Sequence, residues 1–202
     1  MKSKVNKIIS VTVAIAIICS IAVFVCVNIP KQTDIPTDDG TAKKTASTIV
    51  TLIYDVNQRN FSFANLVGLE TYTARGGYRT EAGFIKGVGN YTGVNISALI
   101  ETMQPIPNLY SLIVTSEDGE TQMYNYSTIQ GITNIYDQDN ASNPNPIGKG
   151  NMTMMLAYQY EGNLLNESND GKLKIVFVDQ QGSITKASLW WKKITSIRII
   201  TE

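Results

Sequence analysis

The stretch GVGNYTGV, Gly87 to Val94, carries three glycines in seven residues and runs directly into N95-ISALIETM103. A dinucleotide fingerprint would need G-x-G-x-x-G between a strand and a helix, with an acidic residue about 20 positions further on. Here Gly87, Gly89 and Gly93 are spaced one residue too long, and Asn90 and Tyr91 put bulk where a pyrophosphate would approach the backbone. No Gly-Lys-Ser/Thr follows, so a phosphate loop fails as well. The glycines read instead as relief for tight backbone before a helix that Asn95 caps. Ile96, Leu99, Ile100 and Met103 recur at helical spacing, and Pro105 and Pro107 end the run.

On either side of this corner the pattern is mostly that of strands. TIVTLIYDV from Thr48 mixes β-branched residues with Tyr54, and Ser62 is placed to cap a short helix over FANL. Glu70 to Ala74 alternates like a half-buried strand and runs into a Gly-Gly turn at Gly76 and Gly77. Leu109 to Thr115 and TQMYNYS, joined by S116-EDGE120, predict a hairpin. Residues 130–150, rich in Asn, Pro and Gly, predict a long irregular loop. Lys172 to Val178 is a strand, and the tail from Leu189 ends in another whose Ile194, Ile197 and Ile199 face inward. The fold class expected is α+β, a mixed β-sheet domain over residues 48–202.

The N-terminus has a different character. Residues 8–29 hold no charge and are long enough, at about 1.5 Å per residue, to cross a hydrocarbon core of about 30 Å as a helix. Lys2, Lys4 and Lys7 precede this span and Asp34, Asp38 and Asp39 follow it, which places residues 1–7 in the cytoplasm and the rest outside. The expectation is a single-pass cell-membrane protein anchored by 8–29, with a flexible linker over 30–47 and an extracytoplasmic domain behind it. A cleavable signal is the competing reading, against which the length of the apolar run counts.

Composition excludes much chemistry. The chain of 202 residues has no histidine, and its two cysteines, Cys19 and Cys26, both lie in the apolar span. Ser-His-Asp and Cys-His catalysis and His-ligated metals are therefore out. After Pro30 there are 14 basic and 17 acidic side chains, a net charge of −3 that disfavours nucleic acid. Met152, Met154 and Met155 read as core rather than a copper site, and Asp137, Asp139 and Asn140 lack the glycine and glutamate of a calcium loop. Asn140 and Asn166 are the loop sequons placed to accept a glycan.

Four motifs, in order, resemble one family. Y91-TGVNISALIETM is similar to a "YTGVPLSDLL" corner, and L156-AYQYEGNLLNESNDGKLKIVFV to a "LAYxxNGxPLPxxxGxPLRLVVP" stretch. W190-WKKITSIRI is similar to a terminal "VKWVKKIEV", and N60-FSFANL to "YTLADL". These are motifs of the molybdopterin-binding domain of the sulfite oxidase family, and the resemblance spans residues 49–200. It implies that fold, a pterin cofactor and a metal-binding cysteine before the YTG corner. The segment T71-YTARGGYRTEAGFIKGVGN90 has no cysteine, and Lys172-Leu173-Lys174 stands where the family has Pro-Leu-Arg.

The resulting expectation is a degenerate, non-catalytic binding or interaction module with no metal and no cofactor. The pocket candidates are Arg75, Tyr78, Arg79, Tyr91 and Tyr158, the arginines as a fork for a carboxylate or phosphate and the tyrosines as walls. The partner would be a small anion or an envelope protein. The alternatives are a redox enzyme or electron-transfer accessory that keeps molybdopterin without a protein thiolate, and a purely structural envelope protein.

Overall fold

In the computed structural model, residues 47–140 and 142–201 are described. The expected cytoplasmic residues 1–7, the span 8–29 and all but the last residue of the linker 30–47 lie outside them. Among the described residues no helix is long and apolar enough to cross a membrane.

Alternation in TIVTLIY makes β1 (Thr48–Tyr54), which buries Val50 and Leu52. Asp55, at φ 53°, turns the chain back into the antiparallel β2 (Asn57–Ser62). Ser62 then caps α1 (Phe63–Val67). Its Oγ accepts from the Asn65 N–H at 3.2 Å, and Asn65 Oδ1 accepts from the Ser62 N–H at 3.0 Å, closing a reciprocal box. β3 (Thr71–Arg79) and β4 (Ile85–Asn95) form a long hairpin. Asn95 caps α2 (Ile96–Glu101) by accepting the Ser97 N–H at 2.9 Å, as the sequence predicts. The expected hairpin is β5 (Ser111–Ser116) with β6 (Thr121–Tyr124).

After α3 (Tyr126–Ile129) the chain enters the segment expected to be irregular. It is irregular only in its middle, because β7 (Ile132–Ile135) and β8 (Gly148–Asn151) pair at its ends as a two-stranded sheet. Gly131, at φ 81°, lies against the Met152 backbone, with no room for a side chain, and this close approach starts the pairing. Then come β9 (Thr153–Tyr160), β10 (Asn163–Leu164), β11 (Lys174–Val178) and β12 (Ile184–Lys186). A 3-10 turn, Ala187–Leu189, leads to β13 (Trp191–Lys192) and β14 (Ile194–Ile200).

The chain's end ties its start to its middle, since β14 lies between β1, parallel to it, and β5, antiparallel, in the order β2-β1-β14-β5-β6. The larger sheet runs β12-β3-β4-β9-β11-β13, with β10 on β9. It curls on itself until Arg75 of β3 and Asp179, just past β11, exchange backbone hydrogen bonds at 3.2 and 3.0 Å. The curl covers both faces of β9, so Met154, Met155, Leu156 and Ala157 are consecutive and all buried. The three methionines from 152 to 155 are core, as read.

One expectation about glycine needs correction. Gly76 and Gly77 do not make a turn but lie buried inside β3. A Cβ on Gly76 would stand 2.5 Å from Phe177 O, so the residue is glycine because β11 passes there. All eight residues of GVGNYTGV lie in β4, which runs directly into α2. Gly87 alone has positive φ, 60°, opposite the bulge between Gly76 and Tyr78. A side chain on Gly89 would collide with the Tyr160 ring, and one on Gly93 would stand 2.6 Å from Ala157 Cα. The motif is a strand whose partners come unusually close.

Candidate functional site

A recess roomy enough for a small molecule lies away from the glycines. Three turns form it: Ser116–Glu120 between β5 and β6, Asp170–Lys174 before β11, and Trp190–Lys193 around β13. Its volume is about 490 Å³, within the range of small-molecule sites of roughly 300–1,000 Å³.

Backbone hydrogen bonds clamp the three turns at one residue. The Lys193 N–H donates to Asp170 O at 2.8 Å, and Lys193 O accepts from the Glu117 N–H at 2.9 Å. Lys193 is held at φ 58°, a conformation costly for a residue with a Cβ, and Gly171 provides space for it. A Cβ on Gly171 would stand 2.5 Å from Lys193 Cα.

The floor is aromatic. Trp190, 7% exposed, is fixed by its Nε1–H donating to Thr185 Oγ1 at 2.7 Å, which also satisfies that buried hydroxyl. The Tyr78 and Tyr91 rings pack against it with centroids 5.2 and 5.3 Å away. Lys174 Nζ lies 5.7 Å from the Trp190 centroid and 5.9 Å from that of Tyr78, and pairs with Asp170 Oδ1 at 2.9 Å. Two aromatic faces and a carboxylate thus hold this mostly buried ammonium. Burial, and after it the nearby Asp170 charge, raises the Tyr78 phenol above its ordinary value, so it is a neutral hydroxyl at the wall.

The rim carries both signs of charge. Asp118 and Glu120 stand on the β5–β6 turn, and Lys192 and Lys193 on the β13–β14 turn. The Asp118 carboxyl is held below the usual carboxylate range, chiefly by the Ser116 hydroxyl and then by the Glu120 N–H. Trp191 packs partly against the core, and its Nε1 is buried with no hydrogen-bond partner among the described residues.

The five pocket residues predicted from sequence divide among several places. Tyr78 lines the recess, and Tyr91 packs beneath it, its hydroxyl donating to Gly87 O at 2.8 Å. Arg75 lies exposed along the Gly182 turn. The Arg79 guanidinium lies 5.8 Å from the Tyr136 centroid and donates to Thr80 O. Four residues along a strand is about 13 Å, too far for one fork. Tyr158 belongs to a separate recess of about 200 Å³, edge-on to Phe63 at 5.4 Å, with burial raising its phenol. Asn140 and Asn166 are both exposed, and Asn166 Oδ1 accepts the Ser168 N–H at 3.0 Å.

Sequence reasoning missed Lys174, Asp170, Lys192, Lys193, Asp118 and Glu120. The available signal was three polar turns, EDGE, NDGK and WKK, whose meeting depends on the sheet order.

The domain is sheet-dominated, with a curled sheet of the kind the four motifs resemble. Of the solved structures, the sulfane dehydrogenase SoxCD from Paracoccus pantotrophus is similar, with a TM-score of 0.53 and 12% identity over 76% of this chain and 38% of that one. The likeness is one of fold alone, a distant molybdopterin-binding-like fold, and this chain spans well under half of its neighbour's length. No family model and no curated protein matches the chain.

Proposed function

We propose that the chain is a membrane-anchored, extracytoplasmic and non-catalytic binding module, held by residues 8–29, whose ligand site is the recess over Trp190. The observation that carries this reading is the recess itself, clamped open by three turns, with a fixed aromatic floor and charged side chains converging on its mouth. The donor set supports it. Residues 30–202 contain neither cysteine nor histidine, so the residues present do not fit a pterin-bound metal held by a protein thiolate.

The chain's two tryptophans, Trp190 and Trp191, both line the recess, so intrinsic fluorescence reports on this site without background. The full chain in a non-ionic detergent is titrated against a panel of small acids, amines, amino acids and sugars. The expected result is saturable change with one compound class and no stoichiometric molybdenum, tungsten or released pterin. A stoichiometric metal or pterin would overturn the non-catalytic reading in favour of a redox protein. Silence across every class would overturn the binding reading.

A further inference from the structure

Resting on that reading of the recess, we infer that its ligand is a small zwitterion, with a carboxylate held by Lys192 and Lys193 and an ammonium group held by Asp118 and Glu120.

The first argument is the arrangement of charge. Six charged side chains line the recess, three of each sign. Lys174 and Asp170 satisfy each other at the floor. The four at the rim form no ion pair within 4.0 Å among the described residues. Opposite charges facing across a gap attract, and on mobile loops they would close it. Here the gap is fixed, because the Lys193 backbone is bonded both to Asp170 and to Glu117, which sets the distance between the acidic and basic turns. Neither a simple anion nor a simple cation meets this mouth, since each would face one wall of its own sign. A molecule carrying both charges complements both walls.

The second argument is the cost of the geometry. Lys193 stays in the left-handed region, and Gly171 has the matching φ of 72° with the Lys193 stem against it. Strain of this kind costs on the order of 1–3 kcal/mol and persists where the surroundings impose it. It puts consecutive lysines at the mouth of one recess.

The third argument is the floor. With the Lys174–Asp170 pair against the Tyr78 and Trp190 rings, the bottom is aromatic with its charges matched, and the neutral Tyr78 hydroxyl is an uncharged donor. It favours an aliphatic linker and leaves the charged ends of the ligand to the rim.

The test uses the full chain in a non-ionic detergent, with tryptophan fluorescence and calorimetric titration. The probes are glycine, γ-aminobutyrate and ε-aminocaproate, with caproate and hexylamine as singly charged controls. At least one amino acid should bind at one to one, roughly tenfold more tightly than either control, the factor two modest charge-assisted contacts supply. Glu120→Gln should lower its affinity toward that of caproate, and Lys192→Gln toward that of hexylamine. Both side chains are exposed, so these variants keep the fold and an unchanged melting temperature serves as the check. If caproate or hexylamine binds as tightly as the amino acids, or if neither substitution alters the preference, the zwitterion assignment is wrong while the recess stands as a site. If sugars or other uncharged compounds bind and amino acids do not, the assignment again fails alone. If no compound of any class binds, both the assignment and the binding module fall.

Discussion

Two parts of the curled sheet, joined by the same strands, treat space in opposite ways. Around Gly76, Gly89 and Gly93 the strands come so close that no side chain fits, and the glycines are there to let backbone meet backbone or ring. At the recess over Trp190, three turns meet without closing, and the clamp at Lys193 fixes their spacing. A glycine-rich motif therefore marks where this molecule has least room for a ligand. The room lies where charged turns are pinned.

The largest expected effect would break the packed half of this contrast. Gly93→Ala puts a methyl on Ala157 Cα and, closer still, on Leu156 O, and should cost about 3 kcal/mol in urea unfolding. Gly148, where nothing stands within 4 Å, should accept alanine within about 0.5 kcal/mol. Equal costs at the two positions would end the close-approach explanation.

Next is the floor of the open half. Trp190→Phe removes the bond to Thr185 and leaves a buried hydroxyl unpaired, for an expected loss of about 2 kcal/mol. The same variant should blunt ligand-induced fluorescence.

A third test uses pH. Burial, followed by the Tyr160 and Tyr78 hydroxyls, raises the Tyr91 phenol, and burial alone raises that of Tyr124, both well above the ordinary 10.0. A group whose pKa rises on folding contributes full stability below its unfolded value and loses it as pH climbs toward the folded value. Stability should therefore fall above pH 10 by about 1.4 kcal/mol per pH unit for each phenol. Tyr91→Phe should reduce that slope relative to the parent. With no histidine in the chain, the urea midpoint should stay level from about pH 6 to 9.

The smallest effect sharpens the contrast. Asp170→Asn breaks the pair with Lys174, whose partners are partly exposed, and should cost under about 1 kcal/mol of stability. Its larger consequence should be on ligand affinity, because Lys174 then lacks its partner.

Much of the fold was legible because its signals are local. The Ser62 and Asn95 caps, the hairpin around Asp118 and the inward isoleucines of β14 follow from neighbours a few residues apart. What escaped was long-range. Gly76 reads as a turn until β11, a hundred residues later, is known to lie against it. The β7–β8 pair is hidden because Asn and Pro dominate the segment between its strands. Arg75 and Arg79 look like a pair in sequence and separate along an extended strand. The recess was illegible as a unit, since its turns near 118, 170 and 192 meet only through the placement of β14 beside β5 and β13 beside β11. Tyr78 was the one predicted pocket residue lining it, and it sits beside the β3 bulge.

The most direct test of the central claim is the indole N–H spectrum of the nitrogen-15-labelled full chain, which should hold two peaks, from Trp190 and Trp191. Titration with the tightest amino-acid probe should move both peaks to saturation, with a midpoint equal to the calorimetric dissociation constant. Saturable binding that leaves both peaks in place would contradict the account, because the ligand would then lie somewhere other than the recess over Trp190.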